Sequence, residues 1–159
     1  MNPPHLSRRR CLQTALLGAA LFAGTSTPAA TLPTTASLPQ ELALAMKAGR
    51  PLLVMVSLEG CTFCKQVRDS HLAPMREREG LAVVQLDMRN KQTVVDFDGR
   101  SLTQDELIRR WGVTVAPTVL FFGRGGAEIA ERMIGGYIPD FYGSYLDDRL
   151  RIARAVLRG

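Results

Sequence analysis

The stretch "SLEGCTFCKQV", residues 57–67, carries two cysteines, Cys61 and Cys64, separated by Thr62 and Phe63. It continues the apolar run "LLVMVSL" (Leu52–Leu58), which is bounded by Pro51 and Gly60 and suits a strand buried on both faces. From Cys61 onward, "CTFCKQVRDSHLAPMRERE" has helical spacing, interrupted near Pro74 and closed by Gly80. A strand that delivers a cysteine pair to the start of a helix admits three readings: a redox pair, half of a metal site, or a structural staple.

A structural zinc site needs four ligands, usually from two Cys or Cys/His pairs. Beyond the N-terminal segment the chain offers one pair and one histidine, His71, which reads as a helix-surface residue. A structural disulfide closing so short a loop restrains the unfolded chain little, so its stabilising value is small. The redox reading needs a thiolate at neutral pH, and a helix N-terminus favours one through its unpaired N–H groups and dipole. Cys61 falls at that turn, and Cys64 lies one helical turn on, within reach to resolve a mixed disulfide formed at Cys61. A Cu(I) or other metal carrier using both thiolates as soft ligands remains an alternative of another class. Met or His close to the pair would favour it, and none lies between Leu58 and Ser70.

The 159 residues, 46% hydrophobic and 22% charged, have room for one ordinary core. The start, "MNPPHLSRRRCLQTALLGAALFAGTSTPAA", has a basic head (Arg8, Arg9, Arg10), an apolar run of about 12 residues and small residues before Ala29 and Ala30. That is the layout of a signal peptide over 1–29, and "SRRRCLQ" resembles the twin-arginine export motif, although Cys11 stands where a larger apolar residue is usual. The run is shorter than the roughly 20 residues that span a bilayer as a helix. Removing 1–29 leaves 17 Lys+Arg against 15 Asp+Glu, which gives no reason to invoke nucleic acid. It also leaves Cys61 and Cys64 as the only cysteines, in a compartment where thiols are not kept reduced.

Residues 30–36 read as a linker and 37–159 as the domain. Ser37 predicts the N-cap of a helix to Gly49, Leu81–Met88 a second strand, and "RNKQTVVDFDGRS" irregular chain or a short extended excursion. Thr103 with Glu106 makes a capping box for a helix closed by Gly112, and Pro117–Phe122 and Glu128–Ile134 are strands joined by the hairpin signal "GRGGA". Pro139–Leu157 is a final amphipathic helix. This order predicts an α/β fold, a central mixed β-sheet flanked by helices on both faces.

With "TVAPT" (Thr114–Thr118) placing Pro117 at the head of a strand, the chain resembles the thioredoxin superfamily, whose Cys-x-x-Cys helix faces a cis-proline loop. The resemblance covers roughly Leu38–Leu157, including "VVQLDM" and "GGY" (Gly135–Tyr137), and is closer to bacterial exported thioredoxin-like proteins than to the cytosolic protein. It implies a thioredoxin-like fold, catalytic Cys61 and Cys64 joined in a reversible disulfide, and a client-binding surface at Thr62, Phe63, Ala116 and Pro117. It further implies no cofactor and no metal, a monomer, clients with disulfides, a membrane electron donor for recycling, and a periplasmic location. The direction expected is reduction of client disulfides, with a disulfide donor of the same fold as the alternative. Two departures stand out: Gly60 replaces the tryptophan before the first cysteine, and Met55 replaces the buried acid six positions upstream of it.

Overall fold

The computed structural model describes residues 31–136 and 139–159. The expected signal peptide and Tyr137 lie outside the described residues. The element order is α1 (Leu38–Lys47), β1 (Leu52–Ser57), α2 (Thr62–Val67), a π-helical stretch (Arg68–Leu72), α3 (Ala73–Glu79), β2 (Val83–Asp87), β3 (Thr93–Val95), β4 (Ser101–Thr103), α4 (Gln104–Arg110), β5 (Thr118–Phe122), β6 (Glu128–Ile134) and α5 (Pro139–Arg158). Among these, no helix is long and apolar enough to cross a membrane.

All six residues of β1 are buried. Its alternating side chains feed two cores, because successive Cβ atoms point to opposite faces of a sheet. Leu53 and Met55 pack with Cys64, Val67, Leu72 and Ala73 and with Tyr142, Leu146, Leu150 and Ala153 of α5. Leu52, Val54 and Val56 pack with Leu38, Leu42 and Ala45 of α1 and Leu107 and Ile108 of α4. The strand pairs in parallel with β2 and antiparallel with β5, and β6 completes the order β2-β1-β5-β6. The mixed sheet with helices on both faces is therefore present as expected.

Local signals explain most element ends. The Ser37 hydroxyl accepts from the Gln40 N–H, and Thr103 and Glu106 form the reciprocal capping box. Gly80 closes α3 in the left-handed conformation, with φ 66. The cysteine helix is interrupted before Pro74 rather than at it. The Ala73 N–H bonds the Arg68 carbonyl five residues back, so the turn is widened where the proline ring would crowd the preceding carbonyls, and Pro74 sits in the first turn of α3. The stretch read as a linker is docked from Leu32 onward: Leu32 is in the core, and the Gln85 N–H on the outer edge of β2 donates to the Pro33 carbonyl at 2.8 Å. An edge strand leaves such groups unpaired unless something covers them.

The excursion after β2 is a two-stranded hairpin, β3–β4. Its turn is organised by the buried Asp96, whose carboxylate accepts from the N–H of Asp98 (2.9 Å), the N–H of Arg100 (2.8 Å) and the Arg100 Nε (2.9 Å). Burial alone would raise its pKa, but these donors and the guanidinium charge together hold it below the usual carboxylate range. A carboxyl with a depressed folded-state pKa contributes stability above its unfolded value and loses it as pH falls through the folded one. Asp96→Ala is expected to cost about 1–3 kcal/mol in urea unfolding at pH 7. The difference from the parent should shrink below about pH 4, as both come to lack the charge. A pH-independent difference would show that the carboxylate charge is not what holds the turn.

Candidate functional site

Gly60, in the left-handed conformation with φ 73, turns the chain from β1 into α2. Cys61 follows as the N-cap, and its Sγ accepts from the Cys64 N–H at 3.0 Å. The helical backbone runs on through the π-helical stretch into α3, so its dipole is longer than α2 alone. Cys61 and Cys64 form a disulfide, with Cα atoms 5.2 Å apart. The two sulfurs are placed differently: Cys61 is partly exposed, whereas Cys64 is 1% exposed and belongs to the core between the sheet and α5.

Across from the pair lies the loop before β5. The Ala116–Pro117 peptide bond is cis. The Ala116 carbonyl oxygen stands 4.0 Å from the Cys61 Sγ. The loop is pinned by Thr118 Oγ1, which donates to the Val115 carbonyl at 2.7 Å, and by the Gly135 N–H, which donates to the Pro117 carbonyl at 2.7 Å. Of the candidate client-binding residues, Thr62 and Phe63 are exposed, Ala116 is half-buried and Pro117 is buried.

Three further residues border the Pro117 loop. Val115, in the stretch leading into the strand at Pro117, and Ile134, read as the last residue of a strand, are 45% and 65% exposed and line one small recess together. Gly136 is buried where the cysteine helix and the Pro117 loop meet: a Cβ there would come within 3.1 Å of Val67, 3.3 Å of Pro117 and 3.4 Å of Phe63. The glycine pair was visible in the sequence; the need for a missing side chain was not, because Phe63 and Val67 are far from Pro117 and Gly136 along the chain.

On its other side the disulfide borders an open polar groove of about 900 Å³. Ser57, Gln85, Asp87 and Arg68 line it beside both cysteines, and Glu59 is exposed in it. Lys65 pairs with Asp69 at 2.5 Å, and Arg68 reaches both Asp69 and Gln85 at 3.2 Å. Burial would raise the Asp69 pKa, but Lys65 and Arg68 beside it hold it below the usual carboxylate range. Met55 is fully buried in the same core as Cys64 and brings no acid there.

His71 is not a plain surface residue: it is half-buried in the π-helical stretch and packs on Tyr142, ring centroids 5.0 Å apart. Burial lowers its pKa. Trp111 is half-buried and packs against Phe97 and Phe122. Among the described residues, no three His, Cys, Asp or Glu side chains are gathered as a metal site.

A family model described as a thioredoxin-like domain matches residues 38–148. Over 98 residues, 60% of this chain, the sequence is 26% identical to the thiol:disulfide interchange protein DsbD of Actinobacillus pleuropneumoniae serotype 5b (strain L20). That match spans 15% of the relative's length. Among solved structures, the DsbH oxidoreductase is 21% identical, with a TM-score of 0.52 and an alignment covering 86% of this chain and 96% of that one. A thioredoxin from Thermus thermophilus is 24% identical, with a TM-score of 0.48 and coverage of 76% and 86%.

The tight fit around Gly136 makes a specific demand. Gly136→Val is expected to wedge the cysteine helix away from the Pro117 loop, costing about 1–3 kcal/mol in chemical unfolding and slowing thiol–disulfide exchange more than the loss of folded protein explains. Unchanged stability and exchange would show that the contact is loose.

Proposed function

From the premise that the chain belongs to the thioredoxin-like domain family of thiol:disulfide oxidoreductases, we propose that it is an exported reductant of client-protein disulfides. The observation that carries this reading is the unequal placing of the two sulfurs, one accessible at a helix start and one nearly buried at the edge of the core. In the reduced protein, the Cys61 thiolate attacks one sulfur of a client disulfide, the other client sulfur leaves as a thiolate and takes a proton, and a mixed disulfide remains. Cys64, deprotonated, then attacks the Cys61 sulfur. The second client thiolate is released, the client has gained two electrons, and the protein holds the Cys61–Cys64 disulfide. A dithiol donor at the membrane restores the pair.

The charges around the pair favour reduction over donation. A strong oxidant needs its reduced form stabilised. Here Thr62 and Phe63 place no cation between the sulfurs, Lys65 is paired with Asp69, and Glu59 opposes a thiolate. We place the potential on the order of −200 to −270 mV.

Export is supported by the basic head and apolar run, and we propose a twin-arginine route with cleavage near Ala29 or Ala30. Changing Arg8 and Arg9 together to lysine should then stop export, and normal export of that variant would refute the route. On purified mature protein, Cys64→Ser should accumulate mixed disulfides through Cys61, whereas Cys61→Ser should trap few; equal trapping would contradict the assigned roles. Equilibration with glutathione buffers decides direction, because a potential above about −150 mV belongs to an oxidant.

A further inference from the structure

The polar groove beside the disulfide lies at the C-terminal ends of the parallel strands β1 and β2, where open α/β sheets bind their ligands. One wall is the turn after β1, with Glu59, Gly60 and Cys61; the other is the loop after β2, with Met88, Arg89 and Asn90. Neither Ala116 nor Pro117 lines it, so it is a second surface against the same sulfurs.

Most of its charges are already engaged. Lys65 and Arg68 share Asp69, and Asp87 accepts from Gln85 Nε2 at 2.9 Å. Arg89 differs. It is exposed, and its side chain makes no hydrogen bond or ion pair among the described residues. Its backbone is at φ 64, uncommon for a residue with a Cβ. What holds it there is Asp105, nearly buried, whose Oδ1 accepts the Arg89 N–H at 2.9 Å. That N–H is the largest influence lowering the Asp105 pKa, with Arg109 and Lys91 adding to it. An unpaired cation thus stands on a loop fixed from behind, in a groove that contains the disulfide. Glu59 on the opposite wall disfavours a carboxylate there and leaves the Arg89 wall to receive it.

We propose that Arg89 determines client specificity by pairing with an Asp or Glu carboxylate near the client disulfide that Cys61 attacks. The proposal rests on the exchange activity proposed above. A groove of about 900 Å³, open between two loops, admits a stretch of polypeptide, and Arg suits a carboxylate through its planar fork of donors. An exposed pair of this kind acts on the encounter and is screened by salt.

The test uses reduced mature protein and two synthetic disulfide peptides that differ only in a Glu or a Lys flanking the disulfide. The second-order rate constant of exchange is read by acid quench. The parent should prefer the Glu peptide by about threefold to tenfold at low ionic strength, with the preference fading in 0.5 M salt. Arg89→Lys should keep most of that preference, Arg89→Gln should remove it, and Arg89→Glu should reverse it, while all three exchange with an uncharged peptide at the parental rate. Equal rates for both peptides with the parent, or a preference that survives in Arg89→Gln, would overturn the proposal and leave the exchange reading standing. Exchange with no peptide at all would overturn both.

Discussion

The structure depends on one constraint: β1 cannot move without unpacking two cores. Its odd-numbered side chains are shared with α5 and the cysteine helix, and its even-numbered ones with α1 and α4. Each fully buried Leu, Val or Met is worth about 1.5–3 kcal/mol, and a slip of one residue would exchange the two sets. The end of the strand is fixed as firmly, through the Ser57–Asp87 pairing and the Met88 N–H donating to the Ser57 carbonyl at 2.8 Å. Cys61, four residues past that end, inherits its position from the sheet. Cys64 and Val67, one turn apart on the same helix face, anchor the helix back into the core.

Placing Met55 in that core changes the proton chemistry of the second sulfur. Among the described residues the buried carboxylates are Asp96, in the β3–β4 turn, and Asp105, bonded to the Arg89 N–H, and burial pushes the hydroxyl of Tyr142, in the core with Cys64, further from ionisation. In the proposed exchange Cys64 must nonetheless lose a proton before it attacks the mixed disulfide. It borders the polar groove with Arg68, Gln85 and Asp87. An arginine cannot accept a proton and an amide does not. In the proposed exchange, the side of Cys64 that borders the groove, and not its core side, is where a proton acceptor can stand.

Much of this was legible in the sequence because it is written locally. The buried strand, the capping residues Ser37 and Thr103 and the left-handed glycine after α3 are short-range signals, and the cysteine pair at a strand-to-helix turn marks its own site. What was not legible depends on residues distant in the chain. The β3–β4 hairpin rests on Asp96 closing its own turn, and the stretch read only as irregular chain or a short extended excursion because each strand is three residues long. Leu32 and Thr34 looked like a polar linker, and only the open edge of β2 gives them a place. Val115 and Ile134 have the composition of core residues. Their exposure beside the Pro117 loop follows from the loop geometry before β5 and from the end of β6, not from their hydrophobicity.

The two sides of the disulfide are unlike, and the difference bears on the direction of electron flow. Toward the Pro117 loop, the Cys61 sulfur meets the oxygen of Ala116, the negative end of a carbonyl dipole. A thiol can donate to that oxygen, whereas a thiolate is opposed by it. From within the helix, the Cys64 N–H at 3.0 Å favours the thiolate, as does the dipole behind it. Of the basic side chains in the groove, Lys65 and Arg68 are held by Asp69, which leaves Arg89, on the loop after β2 and across from Glu59. The reduced state is therefore stabilised chiefly by helix geometry, with Glu59 set against Arg89 in the charge around it. This supports a dithiol that gives up its electrons to a client disulfide more readily than one whose thiolate is held by cations.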